Sequence, residues 1–151
     1  MKIYCDGAVS NNGYSNAIGG WAFVILGEND ELIHIGQGGE AGATNQQMEL
    51  TALAQACMCA YLNVENFENE HFVVYSDSAY IVNCYEQRWW TAWQNNGWRN
   101  AQKKTVKNRD LWEEVIPFFK NKNFDFIKVK GHNGDWWNEY VDKLAVEAKG
   151  T

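Results

Sequence analysis

Three strand-type segments follow one another before any helical period appears, and that order limits what the chain can become. Lys2 to Ala8 reads as a strand, with Asn11-Asn12-Gly13 as the turn after it. Trp21 to Leu26 is a continuous apolar run, Leu32 to Gly38 is a third strand, and Gly27-Glu28-Asn29-Asp30 between them is hairpin chemistry. Gly36, Gly38 and Gly39 weaken the third strand and suggest an irregular edge. Strands joined by short turns pair antiparallel, so later strands reached through helices add in parallel.

Helical spacing begins after residue 44. From about Asn45 to Tyr61, Leu50, Leu53, Ala54, Cys57, Met58 and Tyr61 recur on one face, with Thr44 or Asn45 as cap and Gln47 or Met48 at the third position. Phe72 to Tyr75 is a fourth, fully buried strand, and Ser76-Asp77-Ser78 opens a helix running to about Glu86. Residues 89–98 hold Trp89, Trp90, Trp93 and Trp98. A helix over Asn108 to Phe119 turns Leu111, Val115, Phe118 and Phe119 inward, and Pro117 kinks or shortens its last turn. Phe124 to Lys130 alternates as a fifth strand, and a last helix from Asp135 to Ala148 buries Trp137, Val141, Leu144, Ala145 and Ala148. The order β-β-β-α-β-α-α-α-β-α predicts an α/β fold. Its five-stranded mixed sheet has an antiparallel, hairpin-led first three strands, then parallel strands, with helices on both faces.

A chain of 151 residues is one domain's length, and such a domain buries roughly 68–70% of its unfolded surface. No run of about 18 apolar residues occurs, and Met1-Lys2-Ile3 leads into a strand rather than a signal segment, so a cytoplasmic protein with no membrane partner is expected. Cys5, Cys57, Cys59 and Cys84 show no C-x-x-C spacing and read as small buried thiols in a reducing compartment. The formal charge is −6, yet Arg88, Arg99, Lys103, Lys104, Lys107 and Arg109 form an acid-free stretch from 88 to 109. The remainder carries seven cations against nineteen acids, or −12, which makes a basic island on an acidic body.

Four acids fall where a sheet would gather them. Asp6 shares a strand face with Tyr4 and Ala8, Glu49 sits in the first turns of a helix, and Asp77 ends the fourth strand. Asp142 borders the apolar stripe of the last helix, with Asn138 one turn before it and able to hydrogen-bond it. A carboxylate inside a strand costs several kcal/mol to bury unless a cation compensates it. Two Mg²⁺ ions would do so and would activate water against a phosphodiester; an all-oxygen ligand set favours Mg²⁺, or Mn²⁺ in its place, over zinc. Each acid also has an ordinary reading: Asp6-Gly7 as a turn, Asp77-Ser78 as a helix cap, Glu49 and Asp142 as solvated helix residues. Joint placement at one end of a sheet outweighs those readings.

The same residues resemble type 1 ribonuclease H over nearly the whole chain. Asp6-Gly7-Ala8, the stretch from Thr44 to Leu50 around Glu49, and Tyr75-Ser76-Asp77-Ser78-Ala79-Tyr80 match three of the family's motifs. The most specific match runs from Val129 to Ala145, with Lys130-Gly131-His132-Asn133-Gly134, Asn138-Glu139 and Asp142. The resemblance implies hydrolysis of the RNA strand of an RNA–DNA hybrid, leaving 5′-phosphate and 3′-hydroxyl ends. It makes Asp6, Glu49, Asp77 and Asp142 the metal ligands and gives His132 proton transfer or product departure.

The resemblance also implies that residues from about 88 to 109 form the family's basic handle, within a single domain spanning 1–151 and expected to be a monomer. Trp89 and Trp93 share a helix face and either contact the hybrid or anchor the handle, whereas Trp98 packs; Arg99, Lys103, Lys104 and Lys107 would meet phosphates. Asn12, Thr44 and Asn45 would grip backbone or minor groove, where 2′-hydroxyls distinguish RNA. Ala79, Gln46, Gln47 and the pair Trp136-Trp137 depart from the family pattern and bear on substrate grip rather than chemistry. The alternatives are a DNA-cutting nuclease of the same architecture, of transposase or resolvase type, and a non-catalytic hybrid-binding module.

Overall fold

The computed structural model describes residues 1–129 and 135–151. Its strands are β1 (Lys2–Ser10), β2 (Ile18–Leu26), β3 (Leu32–Ala41), β4 (Phe72–Ser76) and β5 (Phe124–Lys128). Its helices are α1 (Asn45–Asn63), α2 (Ala79–Gln87), α3 (Trp89–Asn96), α4 (Arg109–Phe119) and α5 (Trp136–Glu147), with a short 3₁₀ turn at Phe67–Asn69. The strands lie in the order β3-β2-β1-β4-β5. β1, β2 and β3 pair antiparallel, and β1–β4 and β4–β5 pair parallel, as the element order predicts.

Strand alternation divides the core. Ile3, Cys5, Phe23 and Ile25 point to one face, where they pack with α1 residues Leu50, Leu53 and Cys57 and with the aromatic residues of α3 and α4. Tyr4, Val24 and Leu26 point to the other, against Val129 and Val141, and Ala22 meets Leu144 and Ala145. Helices therefore cover both faces. Glycine lets them come close. A Cβ on Gly7 would stand 2.6 Å from the Glu49 nitrogen, and one on Gly20 would stand 2.0 Å from the Ala145 carbonyl oxygen.

Several expectations shift. β2 begins at Ile18 rather than Trp21, β1 runs on to Ser10, and β5 stops at Lys128. Gly36, Gly38 and Gly39 do not interrupt β3, which continues to Ala41 on the sheet's edge; the irregularity lies at Ile25/Leu26. β4 is not fully buried, because Val73 and Tyr75 remain half-exposed. Thr44 caps α1 in a capping box with Gln47, yet the helix outruns the sheet, leaving Met58 41% and Tyr61 57% exposed. In α4, Leu111 is only partly buried while Trp112 is wholly enclosed, and the helix ends two residues after Pro117. Trp137 is likewise only partly buried on α5. The four cysteines are free thiols, Cys59 half-exposed and the others buried.

Candidate active site

The middle of β1 places Asp6 on the α5 side of the sheet, 2% exposed, opposite Ala22 of β2. Its Oδ1 accepts from the Gly7 N–H at 2.9 Å, while its Oδ2 is buried without a donor. Glu49 arrives from the first turns of α1, which crosses β1 at Gly7, and its Oε2 is also buried and unpartnered. Asp77 follows β4, and the helix cap beside it is Ser78, whose Oγ accepts from the Ile81 N–H at 3.2 Å. Asp77 is thus spared the capping duty that would explain it blandly. One oxygen from each of Asp6, Glu49 and Asp77 lies within 4.8 Å of the others.

Asp142 stands exposed on α5, outside the group formed by the other three acids but near enough that its charge acts on Glu49 and Asp77. Asn138 does not bond to it. Among the described residues no hydrogen bond joins the two side chains; Asn138 turns into the core, 5% exposed, with its Oδ1 unpartnered. His132 lies outside the described residues, as does the rest of its glycine-flanked stretch.

Burial raises the proton affinity of Asp6 far above the ordinary carboxylate range, and the charges of Glu49 and Asp77 add to the effect. Glu49 is pushed up chiefly by burial, with the charges of Asp77 and Asp142 adding to it. Asp77 moves up for the same first reason. Such a cluster suits a cation. Its donors are all carboxylate oxygens, two of them buried and unsatisfied, and hard divalent ions take that ligand set. The residues therefore fit a metal.

The substrate-side residues fall into two groups. Asn12, Thr44 and Asn45 meet at the start of α1, where Asn12 Oδ1 accepts from the Asn45 N–H at 3.2 Å. Gln46, next in the chain, lines a cleft of about 670 Å³ with Tyr80, Trp89, Trp93, Lys104 and Lys107. Arg99 also lines it, its guanidinium donating to Thr105 Oγ1 at 3.3 Å across an isolated bridge. Lys103 stands exposed on the turn of that bridge with a φ of 64°. Trp93 and Trp98 are buried, their rings tilted 30° with centroids 5.6 Å apart, and Trp93 also meets Trp112 at 5.4 Å. Trp89 is half-exposed, its Nε1 donating to Gln87 at 2.9 Å. Gln46 bore on substrate grip in the sequence only as a departure from the family pattern, and Tyr80 was not singled out there as a lining residue. Their signal was adjacency, one to the helix start and the other to the third acid.

A mixed sheet that brings carboxylates together at one end, beside a cationic cleft, defines a class: α/β proteins with an acid-built reaction centre. The chain belongs to the RNase H family of enzymes, whose model matches residues 1–149. It is 43% identical over 147 residues to the ribonuclease H of Syntrophomonas wolfei, covering 97% of the chain and 93% of that protein. LC9-RNase H1, a type 1 RNase H with the type 2 active-site motif, superposes with a TM-score of 0.76 at 25% identity, covering 97% of the chain and 70% of that one. LC11-RNase H1, solved in complex with RNA/DNA hybrid, has the same fold at a TM-score of 0.70 and 22% identity, covering 97% and 94%. No helix among the described residues is long and apolar enough to cross a membrane.

Proposed function

We propose that the protein is a handle-bearing ribonuclease H that hydrolyses the RNA strand of RNA–DNA hybrids, leaving 5′-phosphate and 3′-hydroxyl ends. The observation that carries the reading is the convergence of Asp6, Glu49 and Asp77 within 4.8 Å, two of their oxygens buried without a donor. Asp6, Glu49, Asp77 and Asp142 would hold the metal. Divalent ions bound there supply water activation and neutralise charge developing on the phosphodiester. Mg²⁺ is the expected ion, with Mn²⁺ able to replace it.

The chain's own groups do the rest. The Asp6 and Glu49 carboxylates are preorganised by a backbone that cannot retreat, since Gly7 sits directly under α1. Asn12, Thr44 and Asn45 present short polar groups to a minor groove. Residues from about 88 to 109 act as the handle: Arg99, Lys103, Lys104 and Lys107 meet phosphates, Trp89 offers a half-exposed ring, and Trp93 supports it from the core. His132 keeps the part the resemblance gives it, moving a proton or releasing product. Support for the hybrid as substrate comes from the family and from the hybrid-bound LC11-RNase H1, whose fold this chain shares.

A labelled hybrid, incubated with and without Mg²⁺, tests the reading. RNA-strand cleavage that requires Mg²⁺ and vanishes in Asp6→Asn is expected. Equal cutting of duplex DNA would reassign the substrate. Hybrid binding with no cleavage under any divalent ion would reduce the protein to a binding module.

A further inference from the structure

Tyr4 joins three of the elements that carry the carboxylates. Its ring stacks on Tyr75 with centroids 4.7 Å apart and planes 13° from parallel, across the β1–β4 register that pairs the two residues. Its hydroxyl donates to Asp135 Oδ2 at 3.0 Å, spanning 131 positions of the chain. The other oxygen of that carboxylate, Oδ1, caps α5 by accepting from the Trp137 and Asn138 N–H groups at 3.2 and 3.4 Å. Asp6 lies two residues past Tyr4 on the same strand face, Asp77 two residues past Tyr75, and Asp142 seven residues, about two helical turns, past Asp135. The tie therefore sits one level beneath the acids, on the same three elements.

We infer that Tyr4 and Asp135 are positioning residues whose hydrogen bond fixes the first turn of α5 against β1 and β4, and so sets where Asp142 stands relative to Asp6 and Asp77. The inference rests on the carboxylate-site reading above. One carboxylate divides two tasks between its oxygens. Losing the Tyr4 bond leaves the cap whole, so the helix still forms but its starting point is no longer held. A buried phenol finds a hydrogen-bond partner as a rule, and here the partner available is the residue that begins the acid-bearing helix.

Tyr4→Phe keeps the stacked ring and removes the donor. Asp135→Ser keeps a capping oxygen but is too short to reach Tyr4. Titration calorimetry with Mn²⁺, on protein free of nucleic acid, reads the site without turnover, and steady-state cleavage of a labelled hybrid reads the reaction. Each variant should bind Mn²⁺ roughly tenfold more weakly and lose kcat by a similar factor, as lost supports of metal ligands do. KM for the hybrid should stay within about twofold. The double variant should be no worse than either single one, because both break the same bond. Wild-type affinity and kcat in Tyr4→Phe overturn the inference, and so do losses that multiply in the double variant. If Asp135→Ser fails to fold, Tyr4→Phe decides alone. Asp6→Asn separates the two claims: Mn²⁺ binding undiminished in that variant sinks the carboxylate site itself. Binding abolished there but intact in Tyr4→Phe sinks only the tie.

Discussion

Between β1 and α1, Asp6 is drawn out of water and Glu49 is half-buried, with no cation bonded to either among the described residues. Between Arg88 and Arg109 the opposite holds: the cations stand in solvent, on a footing of buried tryptophans. Trp90, Trp93, Trp98 and Trp112 are each 7% exposed or less, and the Arg109 guanidinium lies 4.9 Å from the Trp98 ring centroid. One region stores unfavourable electrostatics in a rigid place; the other spends apolar burial to hold favourable charge outward. The first is built for a small, highly charged ligand and the second for an extended one.

The contrast breaks most directly at Asp6. Asp6→Asn should lower kcat by roughly 10³ or more, the scale of losing a group that acts in the transition state. The same change should stabilise the metal-free protein by about 1–3 kcal/mol, because it removes a buried uncompensated acid. Urea unfolding without divalent ions checks this; a loss of stability would mean Asp6 is held by something other than a cation. In the basic region the large effect is structural. Trp112→Ala should cost about 3–5 kcal/mol by unfolding, since it empties a wholly buried site beneath Trp93. A protein that keeps its stability would show that the cations need no such footing.

pH sharpens the comparison further. Folding raises the proton affinity of Asp6, Glu49 and Asp77. Their contribution to stability is complete below the unfolded carboxylate value of about 4 and drains away as pH rises toward their folded values. Metal-free protein should therefore lose stability between pH 5 and 8, by up to roughly 1.4 kcal/mol per pH unit for each proton released. Saturating Mg²⁺ should flatten that slope, and a flat profile without metal would contradict the burial argument. The smallest effect belongs to the solvated cations. Lys103→Ala with Lys104→Ala should raise KM more than it lowers kcat and reduce the salt slope of binding by about 1–2. An unchanged salt slope would remove these lysines from the phosphate path.

The element order was legible because strand and helix periods switch cleanly along this chain, whereas Gly36, Gly38 and Gly39 suggested a weakness that the pairing of β3 with β2 overrides. Asp6 was legible because an acid within an apolar strand demands a reason. Met58 and Tyr61 deceived because helical periodicity continues beyond the point where the sheet has ended. Asn138 deceived because spacing on a helix fixes neighbours but not which of them faces inward. The Tyr4–Asp135 bond had no local signal at all, its partners being 131 positions apart. The cleft joining Gln46 to Lys104 and Lys107 belongs to the same kind, visible only once α1 and the basic segment are set side by side.

The bare backbone at Gly20 has a consequence away from the acids. Adding a methyl group there would act as a wedge under Ala145, levering the C-terminal half of α5 off its seat. Asp142 lies three residues from that fulcrum, so the tilt would swing its carboxylate outward. A position that touches no ligand and bears no charge is thereby closed to every residue but the smallest.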